Sequence, residues 1–185
     1  MRFSQRPAAV DRPDEPVDVG GLFAAYGEQL LRYCRGRLAQ ADAEDVVAQT
    51  FLVAQRRRLD HPAGLPGRAW LFGIVTNVLR EHRRAEVRRL RAMSRAGVGD
   101  QAEPEFADEV AERIDDSAVL RPVLRAMAGL PVKQREVLLL YAVAELSYDE
   151  IAEALRMPLG SVRSTLHRAR AKIRAAVDQD RTATS

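Results

Sequence analysis

The sequence predicts an all-α protein: two small helical domains joined by a flexible acidic linker, the C-terminal one a helix-turn-helix. Three observations predict it. Apolar residues recur at three- and four-residue spacing through most of the 185 residues, and no stretch alternates as a half-buried strand would. From Asp100 to Asp116 eight acids face only Arg113, and Gly97, Gly99 and Pro104 flank or interrupt the run, which is linker composition. Leu146–Val177 then reads as a short capped helix, a proline turn and a second helix with one apolar and one basic face.

Composition narrows the function classes. Net charge is +3 and the pI about 9.4; of the 29 lysines and arginines, only Lys133 and Lys172 are lysine. The planar arginine fork suits phosphates and guanine edges, although genomic base composition produces the same bias. Cys34 is the single cysteine, which leaves no internal disulfide and no cysteine zinc cluster. It sits in an apolar helical pattern, the setting of a structural thiol. Cys34, His61, His82 and His167 are scattered without metal-ligand spacing, and there is no phosphate-binding glycine loop. No enzyme, cofactor or metal is expected. No apolar run reaches transmembrane length and there is no signal-peptide core, so a soluble, cytoplasmic protein without membrane insertion is expected.

In chain order, residues 1–20 hold Pro7, Pro13 and Pro16 among mixed charges and read as a disordered tail. Leu22–Leu38 is a helix with Leu22, Tyr26, Leu30, Tyr33 and Cys34 inward. Asp42 can cap the next, where Ala43, Val46, Val47, Thr50, Phe51 and Ala54 repeat. Asp45, Gln49 and Leu52 lie away from much of that apolar stripe. Leu59–Gly67, with Pro62, Gly64, Pro66 and Gly67, is a loop.

A long helix follows from about Arg68 to Arg91, buried through Leu71, Ile74, Val75, Val78 and Leu79. Trp70, Gly73, Asn77, Arg80 and Arg84 fall on a neighbouring stripe. Beyond Arg80 the helix becomes a basic rod, with Arg83, Arg84, Arg88, Arg89, Arg91 and Arg95. A charge run is usually a solvated face. An aromatic, an amide and arginines on one stripe are also what a nucleic-acid groove uses. Trp70 stays open between core residue and stacking platform.

After the linker, Leu120, Val123, Leu124, Met127 and Leu130 define a helix with Pro122 in its first turn. Gly129-Leu130-Pro131 breaks it, and a helix through Val137, Leu138, Leu140 and Tyr141 follows. Ser147 and Glu150 have capping-box spacing. Arg156-Met157-Pro158 interrupts the pattern, and a helix starting near Leu159–Ser161 buries Val162, Leu166, Ala169 and Ile173. Its other side carries Arg163, Ser164, His167, Arg168, Arg170 and Lys172. Taken alone, this pair is equally an αα-hairpin with a solvated basic face.

Together the pieces resemble a bacterial sigma factor of the extracytoplasmic-function group. The matching residues in the first half are Ala43-Glu44-Asp45-Val46-Val47, Thr50-Phe51-Leu52, Trp70-Leu71, Ile74, Asn77 and Arg83-Arg84. In the second they are Leu130-Pro131, Arg135-Glu136-Val137, Leu146-Ser147-Tyr148, Glu150-Ile151-Ala152, Pro158, Gly160-Ser161-Val162 and His167-Arg168-Ala169-Arg170. Arg156 stands where the family commonly has glycine.

The resemblance implies a region 2-like domain over 21–92, the linker over 93–117, a region 4-like domain over 118–178 and a tail over 179–185. It implies core RNA polymerase and promoter DNA as partners, with the duplex read at −35 and the opened strand held at −10. An anti-sigma factor is expected as a further partner. Asp45, Gln49 and Leu52 would meet the polymerase. Trp70, Asn77, Arg80, Arg83 and Arg84 would hold the −10 element, with the loop before Trp70 receiving an unstacked base. Arg163, Ser164, His167 and Arg168 would read −35. The competing reading is a stand-alone helix-turn-helix regulator, which explains Leu146–Val177 but not the Trp70/Asn77/arginine helix. Tight duplex binding by the isolated chain distinguishes it.

Overall fold

The structure, a computed structural model, describes residues 17–62, 64–95 and 120–183. The expected N-terminal tail up to residue 16 and linker residues 96–119 lie outside the described residues. The first unit comprises α1 (Val19–Arg35), α2 (Gln40–Arg56), a single 3-10 turn (Arg58–Asp60) and α3 (Gly67–Arg95). The second comprises α4 (Leu120–Ala128), α5 (Val132–Ala142), α6 (Tyr148–Leu155) and α7 (Leu159–Ala183). There is no strand among the described residues.

The periodic residues became the core. Leu22, Leu30, Tyr33 and Cys34 of α1, Ala43, Val46, Val47, Thr50 and Ala54 of α2, and Leu71, Ile74, Val75, Val78 and Leu79 of α3 are buried. Phe72 joins them, edge-on to Tyr33 with ring centroids 5.5 Å apart. Asp42 does not cap α2. The Ala39 carbonyl already accepts from the Ala43 N–H at 2.9 Å, so the helix starts earlier and Asp42 lies in its first turn. There its charge still meets the positive end of the helix dipole.

In the second unit Leu124, Leu130, Val137, Leu140, Leu146, Ile151, Val162, Leu166 and Ala169 are buried. The capping box forms in both directions: the Glu150 N–H donates to Ser147 Oγ at 3.2 Å, and the Ser147 N–H to Glu150 Oε2 at 2.8 Å. Arg156 ends α6 in the left-handed region, at φ 50°. Arg135 closes the end of α4, donating to the carbonyls of Met127 (3.0 Å), Leu130 (3.1 Å) and Ala128. The last helix runs on to Ala183, into the residues expected as a tail, because no Gly or Pro stops it.

The two units are docked. Helix α6 lies along α3, and the buried apolar residues of both units form one continuous cluster. Gly73 permits the approach, since a Cβ there would stand 2.9 Å from the Ala154 carbonyl oxygen.

Candidate nucleic-acid interface

Two basic surfaces stand out. The first is the solvent side of α7. Val162, Leu166 and Ala169 fix its apolar side inward, which turns Arg163, Ser164, His167 and Arg168 outward near its N-terminal half, all exposed. Arg163, His167 and Arg168 make no hydrogen bond or ion pair with the described residues, while Ser164 Oγ donates back to the Ser161 carbonyl at 3.2 Å. Thr165 is buried. Arg170 is engaged elsewhere: its guanidinium lies 4.5 Å from the Tyr141 ring centroid, and hydrogen bonding to Tyr141 raises its pKa further.

The second surface runs along α3. Asn77, Arg80, Arg83 and Arg84 are exposed. Arg83 and Arg84 form no ion pair with the described residues. Arg80 Nη1 reaches Asn77 Oδ1 at 3.4 Å, and its Nη2 pairs with Glu136 of α5. Trp70 is half-buried, packed on the core on one side and met edge-on by His61 at 5.0 Å between ring centroids. The ring is thus part core and part surface, at the foot of the loop that ends at Gly67. Leu59 of that loop is 75% exposed. The side chains of Arg91 and Arg95 lie outside the described residues.

Asp45, Gln49 and Leu52 are exposed together on the outer face of α2. The structure adds a residue that periodicity missed. Phe23 of α1 is 59% exposed, as is Leu52, and meets Phe51 edge-on at 5.0 Å. Its signal was an aromatic one residue off the α1 apolar stripe.

Arg68 was also missed. It lies in the first turn of α3, where the helix dipole disfavours a cation. Something must hold it, and the second unit does. Its Nη1 lies 3.3 Å from both carboxylate oxygens of Glu150, and its Nη2 donates to the carbonyls of Ala144 (2.7 Å) and Glu145 (3.1 Å). Gln29 Oε1 accepts from its Nε at 3.3 Å, and Gln29 Nε2 donates to the Ala144 carbonyl at 2.7 Å. The Arg68 and Glu150 side chains are 10% and 7% exposed.

No described helix is long and apolar enough to cross a membrane. Two family models match the chain: sigma-70 region 2 over residues 22–89 and sigma-70 region 4 over residues 120–173. RNA polymerase sigma factor CnrH of Cupriavidus metallidurans is 32% identical over 170 residues, covering 87% of each chain. ECF RNA polymerase sigma factor ShbA of Streptomyces griseus is 34% identical, covering 85% of this chain and 86% of its own. A solved structure of CnrH in complex with the cytosolic domain of CnrY superposes with a TM-score of 0.62 at 29% identity, covering 88% of each chain.

Proposed function

This chain belongs to the extracytoplasmic-function group of sigma-70 factors, which direct transcription initiation by RNA polymerase, and on that premise we propose how its surfaces divide the work. Residues 21–92 act as the polymerase-binding and −10 domain, 118–178 as the −35 domain. Asp45, Gln49 and Leu52, extended by Phe23, dock on core polymerase: an acid and an amide beside exposed apolar side chains suit a protein partner. Asn77, Arg80, Arg83 and Arg84, with the outer edge of Trp70, hold the opened −10 strand. A protein without an energy source offsets the unpairing cost only by binding the opened form better than the closed one. The factor works in the cytoplasm as a specificity subunit with no chemistry of its own. A proteinaceous anti-sigma factor restrains it, in keeping with the solved complex of CnrH with CnrY.

Arg163 and Arg168 carry the −35 reading. The supporting observation is that both are exposed on the N-terminal half of α7 with no partner among the described residues. A bidentate arginine–guanine pair is worth about 1–3 kcal/mol of discrimination. In-vitro transcription with core polymerase on a template library tests this. Arg163→Ala or Arg168→Ala should lose selection at individual −35 positions. Uniform weakening of all templates, with a flatter salt dependence, identifies phosphate contacts instead. Unchanged selection in both variants overturns the assignment.

A further inference from the structure

We propose that Arg56, Arg57, Arg58 and Leu59 form a second strand-contact site, which takes phosphates and one base of the opened DNA strand next to the part held by α3. The proposal rests on the reading of the α3 stripe as the −10 surface and extends it.

Arg56 ends α2, Arg57 is its C-cap, and Arg58 and Leu59 open the 3-10 turn. All four are exposed. The turn needs none of their side chains. The Arg57 N–H donates to the carbonyls of Val53 (3.0 Å) and Ala54 (3.2 Å), and the Asp60 N–H to that of Arg57 at 2.9 Å. The three guanidiniums make no hydrogen bond or ion pair with the described residues. Elsewhere arginines are held: Arg37 over the Tyr33 ring, Arg68 by Glu150 and Arg170 over the Tyr141 ring. The negative end of the helix dipole favours a cation, which accounts for Arg56 in the last turn of α2. That effect fades beyond the turn and gives no reason for Arg58. It gives none for a leucine that is 75% exposed.

Position supplies the reason. His61, two residues after Leu59, meets Trp70 edge-on at 5.0 Å between ring centroids. Trp70 begins the stripe that continues through Asn77 and Arg80 on its own helix. The arginines are reached from the same tryptophan through His61. Three residues of chain span at most about 11 Å, so Arg58 lies within that distance of His61, Cα to Cα. A strand lying on Asn77 and Trp70 therefore meets these side chains within a few nucleotides. Guanidiniums suit phosphates, and an apolar side chain beside them suits the face of an unpaired base. The α2 face assigned to polymerase carries an acid, Asp45, whereas this end of α2 carries only cations, the complement of a phosphate chain.

The test uses holoenzyme assembled from core polymerase and the full chain. It is titrated against a fluorescent single strand carrying the −10 sequence selected from the template library, and against the same strand lengthened by three nucleotides at either end. The parent should bind one of the lengthened strands more tightly. In the Arg56→Gln/Arg57→Gln/Arg58→Gln variant that gain should vanish. Its slope of log affinity against log salt on that strand should be shallower by about 2, at about 0.7 per phosphate. Leu59→Ala should weaken the lengthened strand about threefold or more at unchanged slope, since it removes apolar contact and no charge. Both variants should bind the short strand like the parent. A gain and slope that persist in the triple variant identify a solvated face and overturn the site. Poorer retention on core polymerase with the gain intact identifies a protein contact and overturns it as well. Asn77→Ala checks the stripe separately and should weaken the short strand. If it does not, the stripe reading fails, while the arginine site is still decided on the lengthened strand.

Discussion

Arg156 shows how one residue can run against local preference. Its φ of 50° places it in the left-handed region, which costs a side-chain-bearing residue about 1–2 kcal/mol. The turn needs that conformation because the Met157 N–H must reach the Ala152 carbonyl, at 2.9 Å, before Pro158 redirects the chain. Glycine, common here in the family, takes it without strain. Arg156→Gly should therefore stabilise the chain by about 1 kcal/mol, read as a higher urea midpoint at unchanged slope. A lower midpoint would mean that Asp149 and Glu153, which line the same shallow cleft, hold the guanidinium firmly enough to outweigh the strain. Local pattern marked only a break at Pro158; the signal for the strain lay in the resemblance, which puts an arginine where glycine is common.

Helices were the most legible scale. Each apolar stripe read from spacing turned inward, with Tyr26, Phe51, Met127 and Ile173 half-buried at the edges, since a face of helical period has one direction in which to leave water. The exposed faces follow by subtraction, and Asp45, Gln49 and Leu52 share the one on α2. Asp45→Arg with Gln49→Ala should weaken binding to core polymerase by about tenfold or more, the scale of one lost charge-assisted contact replaced by a like-charge clash. Unaltered helicity by circular dichroism keeps the reading clean, since neither side chain enters the core. Normal retention on immobilised core polymerase would remove these two residues from the interface. Phe23→Ala serves as the apolar counterpart on α1.

At the scale of the whole molecule, Tyr33 reports on how the units meet. It lies beneath Phe72 with Arg37 4.2 Å from its ring centroid, and its buried hydroxyl finds no hydrogen-bond partner among the described residues; the neighbouring Thr76 hydroxyl donates to the Phe72 carbonyl instead. Burial, opposed by Arg37 and reinforced by Glu136 of the second unit, pushes its pKa from 10.0 up to about 12. The unfolded chain then gives up this proton first. Stability from this group is full below about pH 10 and is lost as pH rises toward 12. Tyr33→Phe should flatten the alkaline limb of a urea-midpoint profile and leave the neutral plateau nearly unmoved. Parallel alkaline limbs would show that Tyr33 ionisation does not drive the loss. Cys34, raised by burial from 9.0 to about 12, adds a similar limb that the substitution leaves in place.

The sequence by itself determined the helices, the break into two units around an acidic stretch, the capping box at Ser147 and Glu150, and the outward basic face of α7. All of these follow from contacts within a few residues, or from periodicity along one element. Only the tertiary structure decided where Arg68, Arg80, Glu136 and Glu150 would go. Sequence patterns placed Arg80 on a stripe with Trp70 and Asn77 and Glu150 in a cap, and left Arg68 as the first residue of a helix. Each acquired its partner from 56 to 82 residues away. Periodicity records which face of a helix avoids water, but not which charged side chains meet when two such faces close on one another.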